Sequence, residues 1–136
     1  MSIAVGIFVF PEVEVLDFAG PYEVFTTASR VFKRTNPLAE AAFEVFTVGH
    51  RIEPFKARAG LPVLPEFEID SHPAIDLLIV PGGVVNAELE KPEVIRWIAS
   101  VAARAHLSAS VCTGAFLLAR AGLLDGKRAT THWEDI

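Results

Sequence analysis

Leu107-Ser108-Ala109-Ser110-Val111-Cys112-Thr113-Gly114-Ala115-Phe116-Leu117-Leu118-Ala119-Arg120-Ala121-Gly122 is the stretch that decides the fold. Leu107 to Val111 reads as a short strand, and Thr113 to Ala121 as an almost wholly apolar helix stopped by Gly122. A helix apolar on every side belongs between layers, not at a surface. Cys112 stands where strand becomes helix, with Ser110 two residues before it and Gly114 two after. Small residues at those positions are what a sharp strand–nucleophile–helix turn demands, because bulk there strikes the neighbouring strands. Ser110 in place of glycine is a mild departure.

Working outward, the same rhythm repeats. Ile3 to Phe10 (IAVGIFVF) is apolar on both faces, as a central parallel strand should be. Gly20-Pro21 opens a helix, since proline at the first helical position forfeits no hydrogen bond. Its apolar stripe is Val24, Phe25, Ala28, Val31 and Phe32. Phe43 to Val48 is the second strand, ended by Gly49. The proline-rich run from His50 to Pro73 admits only short extended pieces, Phe55–Ala59 and Val63–Phe67, as an edge hairpin. Ile75 to Val80 is a buried strand stopped by Pro81-Gly82-Gly83. Pro92 opens a helix with Val94, Ile95, Ile98, Ala102 and Ala105 on one face, and a last short strand lies around Arg128–Thr131. Alternating strands and helices predict one α/β domain over residues 1–136, a parallel sheet with helices on both faces. The chain stops after that last strand with no covering helix. An open strand edge of this kind is expected to be covered either by another copy of the chain or, the favoured reading, by a continuation of the natural polypeptide.

Composition narrows the function classes. The 136 residues are 51% hydrophobic and 21% charged, an ordinary globular profile for one core. A net charge of -5 leaves no footprint for nucleic acid. Apolar runs are strand-sized and short of a membrane helix, so no membrane partner is expected. The N-terminus lacks a signal-peptide pattern, and the single cysteine excludes an internal disulfide and suits no zinc site. The default compartment is the cytoplasm. No metal or organic cofactor is expected.

In an open parallel sheet, ligands bind outside the carboxyl ends of the strands. Asp17 in the loop after the first strand, Gly82-Gly83 after the third, Cys112-Thr113-Gly114 after the fourth and His132 after the last therefore share one rim. A lone cysteine is ordinarily a structural residue, but the elbow spacing favours a nucleophile facing the positive end of a helix, where thiolate is favoured. Asp17 fits a turn or helix cap; beside a thiolate it becomes a general acid/base partner sharing one proton. Gly83 fits a tight turn and equally a backbone donor to developing negative charge. Thr113 bonds the thiol or caps its helix. His132 fits a core histidine as well as a site residue. Trp97 and Trp133 read as packing residues, and His50, His72 and His106 carry no role.

Leu16-Asp17-Phe18-Ala19-Gly20-Pro21, Val80-Pro81-Gly82-Gly83, Ser110-Val111-Cys112-Thr113-Gly114 and Gly126-Lys127-Arg128-Ala129-Thr130-Thr131-His132-Trp133 resemble the ThiJ/PfpI superfamily, of the class I glutamine amidotransferase-like fold. The resemblance implies a flavodoxin-like sheet, a homodimer, a nucleophile at Cys112 and a carboxylate partner at Asp17. It also implies that the C-terminal part of the usual domain is missing. Peptidase-like members carry histidine after the cysteine; Thr113 stands there instead, as in isonitrile hydratases. The implied activity is hydration of a small-molecule isonitrile to an N-formyl amine. The rival readings are a small-molecule-sensing domain of an AraC-type transcription regulator, and a glyoxalase-like or oxidation-sensing thiol protein. Members of the last branch usually carry glutamate where Asp17 stands.

Overall fold

β1 (Ile3–Phe8) is the strand on which the domain is organised, because its alternate side chains go to two different cores. In the computed structural model, which describes residues 1–135, Val5, Ile7 and the following Val9 point to one face and Phe8 and Phe10 to the other, all but fully buried. β2 (Phe43–Gly49), β3 (Phe55–Lys56), β4 (Pro62–Val63), β5 (Phe67–Glu68), β6 (Leu77–Val80) and β7 (Leu107–Ser110) follow. The main sheet is parallel throughout, in the order β5-β2-β1-β6-β7. The chain leaves β1 to one side for β2 and returns to its other side for β6. That reversal creates a crevice beyond the carboxyl ends of β1 and β6.

Helices cover both faces, as the alternating pattern predicts. α1 (Val15–Thr35) lays Phe18, Tyr22 and Phe25 on the face carrying Val5, Ile7 and Ile79. On the opposite face, α3 (Pro92–Arg104) inserts Val94, Trp97, Ile98 and Val101, and α4 (Gly114–Arg120) inserts Leu117 and Leu118, against Phe8, Leu78 and Val80. Each such side chain, fully buried, contributes about 1.5–3 kcal/mol. The short α2 (Asn86–Leu89) follows the Pro81-Gly82-Gly83 turn.

Several expectations need correction. α1 begins at Val15, so Asp17 sits in its first turn, not in a loop, and Pro21 lies inside the helix. Val15 and Phe18 pack onto the core, and this burial outweighs the helix-breaking tendency of proline. The expected α1 stripe is split: Phe25 faces the sheet, whereas Val24, Val31 and Phe32 are exposed. On α3 the buried face carries Trp97 and Val101 in place of Ala102 and Ala105. The edge hairpin shrinks to β3 and β4, antiparallel, while Phe67–Glu68 joins the main sheet beside β2. No strand forms at 128–131; the Thr131 hydroxyl donates to the Cys112 carbonyl at 3.1 Å, so this segment is tied by a side chain to the elbow instead of extending the sheet. Trp133, at 75% relative exposure, is not a packing residue. Trp97 is, and its indole N–H donates to His72 Nε2 at 2.9 Å, which gives His72 a structural role.

Candidate active site

The elbow forms where β7 gives way to α4. Cys112 is held at a φ of 55°, left-handed backbone that a non-glycine residue rarely adopts. Gly114 explains how the turn closes: a Cβ there would stand 2.0 Å from the Val80 carbonyl oxygen. β6 and the start of α4 thus touch through backbone, and the cysteine is pushed up to the rim. Gly83 has a φ of 138°, and a Cβ on it would meet the Glu12 carbonyl oxygen at 2.3 Å, so the loop after β6 runs tight against the loop after β1.

These turns bring Asp17, Gly83, Cys112, Thr113 and His132 onto one open cleft of about 800 Å³. Strand direction implied that convergence for Asp17, Gly83 and Cys112, whereas His132 reaches the cleft without the strand expected before it. The Gly82 N–H donates to Asp17 Oδ2 at 3.2 Å. The Thr113 hydroxyl accepts from the Gly83 N–H at 2.9 Å and donates to the Gly83 carbonyl at 2.9 Å. Two successive residues of that loop, Gly82 and Gly83, are therefore tied to the site. The Thr131 bond to Cys112 brings the following His132 to the cleft.

The protonation chemistry departs from the sequence expectation in one respect. Burial raises the Cys112 thiol above its ordinary 9.0; the Thr113 N–H and hydroxyl draw it down, and Asp17 pushes it up again. A helix start therefore does not make this sulfur a thiolate by itself: α4 is short, and its pull is outweighed by desolvation and a carboxylate neighbour. Asp17 is likewise raised from 3.8, first by burial and then by Glu14, while the Gly82 N–H, the Cys112 thiol and His132 lower it. Thiol and carboxyl act on each other: the carboxylate raises the thiol, and the thiol lowers the carboxyl. With a single proton, the arrangement these directions favour is a neutral thiol beside an ionised carboxylate.

Sequence reading missed much of the rim. Glu14, Arg58, Asn86, Phe116, Glu134 and Asp135 also line the cleft. Arg58 arrives through its N–H donating to the Val13 carbonyl at 3.0 Å, a loop contact that no local pattern announces. Among the described residues, no group of three or more His, Cys, Asp or Glu side chains could hold a metal ion, and no helix is long and apolar enough to cross a membrane.

Comparison with known proteins bears on the family and the fold. The chain is 37% identical over 134 residues to an isonitrile hydratase from Pseudomonas putida, covering 98% of this chain and 54% of that protein. It is 40% identical over 78 residues to the HTH-type transcriptional regulator GbdR of Pseudomonas aeruginosa, covering 57% of this chain and 21% of the regulator. The chain thus spans about half the length of the first relative and a fifth of the second. The crystal structure of a ThiJ/PfpI family protein from Pseudomonas syringae superposes with a TM-score of 0.84 at 28% identity, over 98% of this chain and 51% of the other. The DJ-1/PfpI family model matches residues 3–135, from the first strand to the rim residues after His132. By sequence and by fold, this chain belongs to the DJ-1/PfpI family.

Proposed function

We propose that the protein is a cysteine-dependent hydratase that converts a small isonitrile to an N-formyl amine. The observation that carries this reading is the meeting of Cys112 and Asp17 in one cleft at the mouth of the sheet. The identity with an isonitrile hydratase supports it. An isonitrile carbon accepts a soft nucleophile if a proton reaches it as the bond forms. Asp17 takes the thiol proton while the sulfur attacks, then passes it to that carbon. One S–C and one C–H bond form, and the carbon–nitrogen triple bond becomes the double bond of a thioimidate. Asp17 next draws a proton from water as its oxygen adds to the same carbon, and the nitrogen gains that proton. Collapse of the adduct expels the sulfur, which recovers the hydroxyl proton and leaves the N-formyl amine.

Thr113 holds Gly83 as the wall beside which the thioimidate sits, and His132 favours the ionised form of Asp17. The chemistry proposed uses no cofactor. A reduced lone thiol suits the cytoplasm. The homodimer implied by the family resemblance belongs to this proposal, and the exposed Leu16, Val24 and Val31 of α1 offer apolar surface for it.

The test is an assay of the pure protein with an alkyl isonitrile and with methylglyoxal, beside Cys112→Ser and Asp17→Asn. Turnover of the isonitrile alone, lost in both variants, is expected. Full activity in Cys112→Ser ends the nucleophile assignment, and turnover of methylglyoxal alone selects the glyoxalase-like chemistry. The second reading is a sensing domain of an AraC-type regulator, favoured by the identity with GbdR. It predicts saturable isonitrile binding by calorimetry with no product.

A further inference from the structure

The cleft around Cys112 has an electrostatic character that the proposed reaction does not require. Four carboxyl side chains line it: Glu14, Asp17, Glu134 and Asp135. Among the described lining residues Arg58 is the one fixed cation, and it is already occupied, with Nη1 3.6 Å from Glu14 Oε2. His132 lies 3.9 Å from Asp135 and offers at most one further positive charge. Among the described residues, no fixed cation stands against Glu134 or Asp135 in the cleft. Asp17 sits beside the sulfur, whereas the other three carboxylates are half-exposed or exposed at the rim. Charges of one sign around a concave, low-dielectric wall focus their field on whatever enters.

We propose that this rim selects substrates by charge, admitting neutral and cationic small molecules to Cys112 and rejecting those that carry a carboxylate, with Glu134 and Asp135 as the specificity-determining residues. The inference deepens the hydratase reading: the favoured substrate is an isonitrile whose remote end is neutral or bears an ammonium group. Isonitriles derived from amino acids with a free carboxylate are disfavoured.

Because the chain has a single cysteine, the field can be read without any turnover. Methanethiosulfonate reagents with cationic, neutral and anionic tails report it: the Cys112 sulfur attacks the sulfenyl sulfur, a disulfide forms and methanesulfinate leaves. Each rate is divided by the same reagent's rate with 2-mercaptoethanol. The ratio of cationic to anionic labelling then cancels the thiolate fraction, so changes in Cys112 acidity do not enter. We expect a normalised ratio of about tenfold or more at low salt. It should fall toward one at high salt, where screening shortens to about 3 Å at 1 M. Glu134→Gln with Asp135→Asn should lower it by about threefold or more while the neutral reagent is little affected. A ratio near one at low salt, or a ratio unchanged in the double variant, overturns the proposal. In parallel, an isocyanoalkyl trimethylammonium salt and isocyanoacetate are compared by kcat/KM. Charge-ordered labelling without turnover of any isonitrile removes the hydratase reading and leaves this one standing; turnover of both with equal kcat/KM and unordered labelling does the reverse.

Discussion

Thr113 grips Gly83 by both of its backbone polar groups, its hydroxyl accepting from the N–H and donating to the carbonyl, each at 2.9 Å. One buried side chain thus fastens the loop after β6 to the residue following the nucleophile. Thr113→Val keeps the shape but strands a donor and an acceptor. Leaving such groups unpaired costs about 1–3 kcal/mol each. The expected loss in urea unfolding is about 2–3 kcal/mol for Thr113→Val and well under half of that for Thr113→Ser. Equal stability of the two variants would mean that water replaces the hydroxyl and that the grip is incidental.

Cys112 is raised first by burial and then by the Asp17 carboxylate. Removing that charge in Asp17→Asn takes away a term that disfavours thiolate, so the thiol should become more acidic. Iodoacetamide alkylation at pH 7 to 8 is expected to run several-fold faster in the variant, with its midpoint moved toward the ordinary 9.0. With Asp17 as proton carrier, the same variant loses hydration while its cysteine grows more reactive. Slower alkylation in Asp17→Asn would show that the carboxylate serves to deprotonate the thiol at rest.

The rim was legible from strand direction because a parallel sheet sends every strand-following loop to one end, whatever the details of each loop. Gly114 and Cys112 were legible because the elbow is a steric demand: one position must lack a Cβ, and the other must accept φ of 55°. Asp17 was placed correctly on the rim but in the wrong local structure. Pro21 reads as a helix start in sequence, and only the packing of Val15 and Phe18 shows that α1 begins earlier. The 128–131 segment carries strand-compatible residues, yet Thr131 bonds through its side chain to the elbow, an interaction between positions 19 residues apart. Arg58 was invisible for the same reason: it reaches the cleft by a loop contact with no period to detect.

Asp17 also leaves a mark on stability. Its carboxyl holds a proton more tightly folded than unfolded, so the stability it contributes is complete below 3.8 and is lost as pH rises through the raised folded value. At neutral pH the ionised side chain is a burden. Asp17→Asn keeps an acceptor for the Gly82 N–H and carries no charge, so it should melt higher than the wild type at pH 7. The site is open to solvent, which keeps the gain under about 1 kcal/mol. The two proteins' difference should narrow as pH falls toward 3.8. A variant less stable at pH 7 would show that the carboxylate's hydrogen bonds outweigh its desolvation.

Gly114→Ala tests the elbow itself. Its Cβ would lie 2.0 Å from the Val80 oxygen and 2.8 Å from the Pro81 oxygen, and both are backbone atoms that cannot swing aside. β6 and α4 must separate, at a cost of about 3 kcal/mol by the usual penalty for overpacking. Differential scanning calorimetry is expected to show a large drop in Tm, and alkylation of Cys112 should lose its dependence on Asp17. A variant of wild-type stability would mean that the elbow is far looser than the backbone contact implies.

Glu88, on α2, is 1% exposed, with one carboxylate oxygen 2.6 Å from Lys91 Nζ and the other without a protein partner. Asn86 and Leu89 of α2 line the cleft, and the Leu89 carbonyl accepts from Arg120 of α4 at 2.9 Å, so Glu88 belongs to an element that forms part of the cleft wall. Removing one partner of a buried pair costs about 3–5 kcal/mol because the remaining charge is left uncompensated, and the partial exposure of Lys91 places this pair at the low end. Lys91→Met is expected to lower the urea midpoint by an amount equivalent to about 3 kcal/mol. The double change Glu88→Leu with Lys91→Met removes both charges together, and should recover most of that loss although it deletes more polar contacts. If Lys91→Met alone is neutral, the pair does not hold α2 in place. If the double variant is as weak as the single, the loss comes from packing of the lysine stem and not from the stranded charge.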